Sequence, residues 1–290
     1  MSDARRRFRE LLAGPDQILV PEALSAGLAR MAELAGFEAV YMGGHALGVL
    51  HHAIPDHGLI YPSEIVEHAR RVVDAIDIPV ICDADQGGET ALNTYRTVRD
   101  FERAGVAAIH IEDTCNPKHL YQDDRLVPVA EMQARLKACL DARQDPNFAI
   151  IARTDCAFNK GPVEETIARG LAYAEAGADA YFVCRMSREE VVQVCEAMPI
   201  PVMDMNHPRA FYETTRLKIN ISAGMALRGL LMKSHEMLVQ LKETGAVEWV
   251  GGDLLGMPSR EGQGLLDELI HDADYLRIAE MWAGARGDRA

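Results

Sequence analysis

One recurring phrase limits what this chain can fold into more than any other feature. An amphipathic stretch ends in Ala-Gly, and two or three residues later an apolar run begins. It occurs as Ala35-Gly36 before Phe37-Glu38-Ala39-Val40-Tyr41, Ala104-Gly105 before Val106-Ala107-Ala108-Ile109-His110, and Ala176-Gly177 before Ala178-Asp179-Ala180-Tyr181-Phe182. Glycine tolerates the left-handed backbone that closes a helix, so each phrase reads helix, tight turn, buried strand. The three glycines lie 69 and 72 residues apart, room for two strand–helix units each time.

Other short apolar runs complete the series: Ile18-Leu19-Val20, Pro79-Val80-Ile81-Cys82, Phe148-Ala149-Ile150-Ile151-Ala152, Pro201-Val202-Met203 and Leu217-Lys218-Ile219-Asn220-Ile221. Helical patterns run over 24–35, 63–76, 91–104, 129–143, 163–176, 188–197 and 225–244, with a short, weak seventh connection around 207–214. Strands that alternate with helices pair in parallel through right-handed crossovers. Eight such units predict an α/β fold, a closed (β/α)8 TIM barrel, although an open doubly wound sheet shares much of the pattern. No linker divides the chain, so residues 1–290 read as one barrel domain. An amphipathic helix over about 259–284 lies outside the eight units, and its apolar face (Leu265, Leu266, Leu269, Ile270, Leu276, Ile278, Met281, Trp282) must pack somewhere, as on another subunit.

Charge and cysteine usage then remove whole classes of function. A net charge of −14 leaves no basic footprint for nucleic acid. No stretch is long and apolar enough to span a bilayer, and MSDARRRFRELL lacks the core of a secretory signal. Cys82, Cys115, Cys139, Cys156, Cys184 and Cys195 form no CxxC pair and read as reduced, mostly structural thiols. A cytoplasmic enzyme is the expectation.

Active sites of parallel barrels are built at the C-terminal ends of the strands. Here strand three ends Cys82-Asp83-Ala84-Asp85, strand four Ile111-Glu112-Asp113 and strand five Arg153-Thr154-Asp155, while the loop after strand two carries Asp56. Carboxylates that converge without a cation repel one another. A hard divalent ion satisfies them, and Mg2+ needs only one or two direct carboxylates. Arg153 is the natural partner of a substrate carboxylate because its planar fork binds both oxygens. Gly43-Gly44-His45 closes strand two, where paired glycines let backbone N–H groups approach an anionic oxygen. His45, His51, His52 and His57 crowd one loop, but their spacing fits no standard zinc set.

At these residues the chain resembles the isocitrate lyase / phosphoenolpyruvate mutase superfamily, from about Phe8 to Leu241. The likeness is strongest in VYMGG, PDHG, FAIIARTD and the long segment PVICDADQGGETALNTYRTVRDFERAGVAAIHIEDTCNPK. It implies a barrel whose last helix is swapped between partners in a dimer of dimers, a homotetramer. It also implies Mg2+, or Mn2+ in its place, held directly by Asp83 and mainly through water by Asp56, Asp85 and Glu112. Gly43 and Gly44 match the turn that binds the substrate carboxylate, and Arg153 the substrate-binding arginine. The substrates implied are small 2-oxo or 2-hydroxy acids.

The departures fall on the gating loop. Lyases of this family carry Lys-Arg/Lys-Cys-Gly-His there, and the phosphonate branch Lys-Thr-Asn-Ser-Leu. Residues 116–125 read Asn-Pro-Lys-His-Leu-Tyr-Gln-Asp-Asp-Arg, with neither motif. Strand six has Cys184 where lyases commonly have Glu, and Gly224 stands where the oxaloacetate decarboxylase branch has a histidine. Lys118, His119 and Tyr121 remain as proton carriers. Decarboxylation of an oxaloacetate-type acid, which asks least of that loop, is therefore the first expectation. Retro-aldol cleavage of the 2-methylisocitrate or dimethylmalate type comes next. A phosphonopyruvate hydrolase or mutase, and a non-catalytic metal-binding barrel, are the alternatives.

Overall fold

The computed structural model describes residues 2–120, 125–247 and 267–285. Eight parallel strands, β1 (Ile18–Pro21), β2 (Val40–Met42), β3 (Val80–Asp83), β4 (Ala108–Glu112), β5 (Ala149–Arg153), β6 (Ala180–Phe182), β7 (Val202–Met205) and β8 (Leu217–Ser222), lie in the order β1-β8-β7-β6-β5-β4-β3-β2. The circle closes between β1 and β2 through a single bridge, Glu22 to Tyr41, with the Ala23 N–H donating to the Tyr41 carbonyl at 2.8 Å. This is the (β/α)8 barrel that the recurring phrase predicts.

Before the first strand comes α1 (Ser2–Ala13), and α2 (Ala26–Leu34) follows it. After β2 stand α3 (Gly44–Leu47), a π-helical turn (Gly48–His52) and α4 (Pro62–Val73). The remaining helices are α5 (Ala91–Ala104), α6 (Val129–Ala142), α7 (Val163–Glu175), α8 (Arg188–Ala197), α9 (Arg209–Tyr212), α10 (Met225–Thr244) and α11 (Asp272–Ala285). Sequence reasoning places most of these within a residue or two. It misses the structure of 44–52, which is too short and polar to show a period. The weak seventh connection is indeed a four-residue helix, α9.

Local chemistry sets the boundaries. Thr90 caps α5 by accepting from the Asn93 N–H, and Ser187 caps α8 by accepting from that of Glu190. Gly105 ends α5 at φ 92, the left-handed conformation that the Ala-Gly phrase requires.

Strand alternation then sorts the core into two layers. Val40, Val80, Ile109, Ile150, Tyr181 and Val202 pack beneath the helices. Val20, Tyr41, Ile81, Ala108, Ile151, Phe182, Met203 and Ile219 fill the barrel interior together with Phe8 and Leu12 of α1. The parity of that interior row decides what stands at the mouth.

The chain groups into two compact units, 1–227 and 228–290. The barrel belongs to the first. In the second, Leu230, Leu231, Leu238, Val239 and Leu241 of α10 and Tyr275, Leu276, Ile278 and Met281 of α11 are exposed. Residues 259–266 of the expected helix over 259–284, Leu265 and Leu266 among them, lie outside the described residues, as does Tyr121. Among the described residues no helix is long and apolar enough to cross a membrane.

Candidate active site

Stepping the interior row two residues further along the strands leads to Glu22, Gly43, Asp83, Arg153, Cys184 and Met205, and on β4, where His110 takes that step, two residues more lead to Glu112. All but Glu112 line one cavity of about 420 Å3, with Asp56, His57, His119, Phe158, Arg185 and Gly224 contributed by loops. That volume suits a small acid. Strand register pairs Asp83 with His110 and Glu112 with Arg153, so the charges meet sideways as well as across the barrel.

Asp83, Asp85 and Glu112 are buried, and each offers an oxygen within 4.8 Å of the others. Into this cluster reaches the fully buried ammonium of Lys118, 2.5 Å from Asp85, 3.0 Å from Asp56 and 3.3 Å from Glu112. Burial pulls the lysine pKa down, but Glu112, Asp85, Asp83 and Asp56 together hold it well above its ordinary value. The acids are still short of positive charge. Burial, with Asp155 and Asp85 adding to it, pushes Glu112 up to about 8 against the opposing pull of Arg153 and Lys118. Its buried Oε2 has no hydrogen-bond partner, although Arg153 stands 3.1 Å away. Three buried hard oxygens, one of them orphaned, fit a divalent cation of the Mg2+ type. Asp56 bonds the same ammonium and lines the cavity, but stands outside the group of three acids.

Arg153 is held by Asp155, which accepts from Nε at 2.9 Å and from a terminal nitrogen at 3.2 Å. It also stacks over Phe182, 5.3 Å from the ring centre. Asp155 further accepts from the Thr114 hydroxyl at 2.9 Å and the Cys184 thiol at 3.3 Å. Arg153 is thus both a structural ion pair and a lining residue of the cavity.

His119 bonds Asp155 at 2.9 Å and faces Asp56 at 3.7 Å. Burial pulls its pKa down, yet these two carboxylates lift it to about 9, which keeps the imidazole protonated at neutral pH. The loops that carry Asp56 and Lys118 are packed together: the His57 ring bonds the Lys118 carbonyl at 2.9 Å. A Cβ on Gly58 would stand 2.1 Å from Asn116.

The glycine turn stands against the acid cluster. The Gly44 N–H donates to Asp83 at 3.0 Å, so that donor orients a member of the acid cluster. Both glycines permit close approach, since a Cβ would meet Tyr41 at 2.9 Å from Gly43 and Asp83 at 3.1 Å from Gly44. Gly43 and the exposed His45 line the cavity. Of the other histidines in that loop, His51 bonds the Leu24 carbonyl at 3.0 Å, and His51, His52 and His57 all stand outside the acid cluster.

Sequence reasoning overlooks three residues here. His110 is buried between the Tyr41 hydroxyl at 3.0 Å and Asp83 at 3.5 Å, and burial drops its pKa to about 4, so it stands neutral behind Asp83. A polar residue at an interior parity position, two before Glu112, is the signal that marks it. Phe158 and Arg185 stand on loops, where no periodicity speaks for them.

The phosphoenolpyruvate phosphomutase family matches residues 8–235. The chain is 41% identical over 197 residues to a 2,3-dimethylmalate lyase of Eubacterium barkeri, covering 67% of this chain and 68% of the relative. It is 40% identical over 204 residues to an oxaloacetate decarboxylase of Pseudomonas fluorescens, covering 70% of each. Among solved structures, an oxaloacetate acetylhydrolase bound to the inhibitor 3,3-difluorooxalacetate superposes with a TM-score of 0.86 at 25% identity, over 100% of this chain and 99% of that one. With the strand-end acids, the barrel and the matched span in agreement, the chain belongs to the phosphoenolpyruvate phosphomutase family, within the isocitrate lyase/PEP mutase superfamily.

Proposed function

We propose that this protein is a Mg2+-dependent carbon–carbon lyase that breaks the C2–C3 bond of a small 2-hydroxy di- or tricarboxylic acid by retro-aldol cleavage. The observation that carries the reading is the buried cluster of Asp83, Asp85 and Glu112 beside a cavity that is sized for a small acid and lined by Asp83, Arg153 and His119. When bound, the cation would supply Lewis-acid stabilisation of the C2 oxygen as its hydroxyl proton leaves, or, in a 2-oxo acid, of the enolate that forms there. Arg153, whose Nε and one terminal nitrogen are engaged by Asp155, offers its remaining terminal N–H groups and its charge to the C1 carboxylate. His110 and the Gly44 N–H keep Asp83 oriented. His119 enters the step as an acid, protonated and steadied by Asp155, and supplies the proton that the departing carbon needs.

Decarboxylation of an oxaloacetate-type acid is the second reading. It needs the same cation and arginine but no protein acid, because water can protonate the product. Sequence reasoning puts it first, since the loop lacks a cysteine. The cavity position of His119 favours cleavage instead, and the relatives include both activities.

The test is a product assay with and without EDTA. Expected are pyruvate and propionate from 2,3-dimethylmalate, or pyruvate and succinate from 2-methylisocitrate, with activity lost in EDTA and restored by Mg2+. Asp83→Ala should abolish turnover. His119→Gln should lower cleavage by about 100-fold or more while oxaloacetate decarboxylation changes only a few-fold. Faster release of pyruvate from oxaloacetate than from either hydroxy acid would establish the second reading. Orthophosphate from phosphonopyruvate, or full activity in EDTA, would overturn both.

A further inference from the structure

Arg153 is already matched by acids, but a second arginine in the same cavity is not. Arg185 lines the cavity and, among the described residues, forms no ion pair with a carboxylate. Its guanidinium lies over the Phe158 ring, 4.8 Å from the centroid. The same ring stacks on His119 at 4.1 Å. The cation is therefore held on an aromatic platform shared with the acid assigned above.

The backbone provides an independent observation. Cys184, beyond the end of β6, keeps the inward parity of Ala180 and Phe182, so simple alternation would turn residue 185 away from the interior. Arg185 instead adopts φ 62, a left-handed conformation unfavourable for an L side chain, and lines the cavity. Strain of this kind persists where surroundings enforce it and tends to gather at ligand sites. Apolar Pro55, Met205 and Ala223 line the same cavity and offer its ligand no charge.

We propose that Arg185 is a specificity residue that reads a second carboxylate, at the far end of the substrate, while Arg153 and the acid cluster hold the 2-hydroxy (or 2-oxo) acid end. This rests on the lyase reading above and narrows it to diacids whose far carboxylate survives the reaction. In the cleavage, C2–C3 breaks and its electron pair passes to C3, where it spreads into the adjoining carboxylate facing Arg185. The hydroxyl oxygen forms the new C2 carbonyl as its proton leaves to a carboxylate of the site, and C3 takes a proton. An arginine there stabilises charge that grows in the transition state. On a carboxylate destined to leave as CO2 it would stabilise charge that must be lost, and so would oppose decarboxylation.

The test is calorimetric binding to the full-length protein in Mg2+ of two stable probes: oxalate, which fills only the two-carbon end, and 3,3-difluorooxaloacetate, which adds a far carboxylate. Arg185→Gly is the first variant, because glycine is at ease at φ 62 and the fold should be kept. It should weaken the diacid about ten-fold or more and leave oxalate within about two-fold, as loss of one charge-assisted contact predicts. Arg185→Lys should fall between, keeping the charge but losing the stacked fork. Equal weakening of both probes, or of neither, would overturn the proposal, as would wild-type protein that binds oxalate but not the diacid. Wild-type protein that binds neither would overturn the lyase reading itself and this inference with it.

Discussion

At the scale of single residues, the ammonium of Lys118 is the group whose position carries most consequence. It is fully buried and stands among Asp56, Asp85 and Glu112, where a divalent cation would also be drawn. Removing one partner of a buried charge cluster leaves the others uncompensated, typically at a cost of about 3–5 kcal/mol. Lys118→Met should therefore melt at a lower temperature than wild type in EDTA. Adding Mg2+ should recover more stability in the variant than in wild type, because no ammonium competes for the carboxylates; differential scanning fluorimetry with and without Mg2+ reads both effects. An unchanged melting temperature in EDTA would show that Lys118 does not fill this role. The strand-end acids and Arg153 are legible at the mouth from the sequence, because the barrel rule fixes which end of each strand matters, whereas Lys118 and His119 are singled out by comparing the loop at 116–125 with the family's motifs. Arg185 and Phe158 were not, since a loop residue enters a cavity through backbone torsions that no alternation encodes. Gly44 was legible as a donor but not in its partner, which depends on where Asp83 turns.

Among elements, strands and helices followed from the apolar period and from glycine at helix ends, whereas packing between them did not. Gly170 shows the difference. In the sequence it is a poor residue within a helical pattern, and replacing it by alanine should gain up to about 1 kcal/mol. In the structure a Cβ there would stand 2.5 Å from the Tyr181 ring and 2.7 Å from the Met198 sulfur. Tyr181 is fully buried, with its hydroxyl donating to the Thr166 carbonyl at 2.7 Å, so the ring has little freedom to retreat. Gly170→Ala should consequently destabilise the protein, by about 1–3 kcal/mol as overpacking usually does. A urea melt showing higher stability would mean that α7 can slide on β6. The mistaken element, residues 44–52, belongs with the same lesson: a four-residue helix running into a π turn has no repeat from which to be read.

For the whole molecule, the barrel and its single-chain closure follow from eight units, whereas the assembly state follows from no pattern in the chain and rests on the family resemblance. Exposed Leu230, Leu231, Leu238, Val239 and Leu241 on α10, and Leu276, Ile278 and Met281 on α11, are apolar side chains of the kind that subunit contacts cover. We expect the full-length protein to sediment as a tetramer, and a chain truncated before residue 259 to give monomer or aggregate; a full-length monomer in sedimentation velocity would refute this. The barrel's seam has a quieter consequence. Between β1 and β2 the circle is joined by one bridge, from Glu22 to Tyr41, whereas β1 and β8 are matched over four residues. Both bridge residues also face the cavity. A ligand lying there touches the two sides of the weakest joint in the wall, and in doing so acts as the missing stave. Part of its binding energy appears as slower breathing of the barrel, so the Ala23 amide, which crosses the seam to Tyr41, should exchange with deuterium more slowly when the cavity is full.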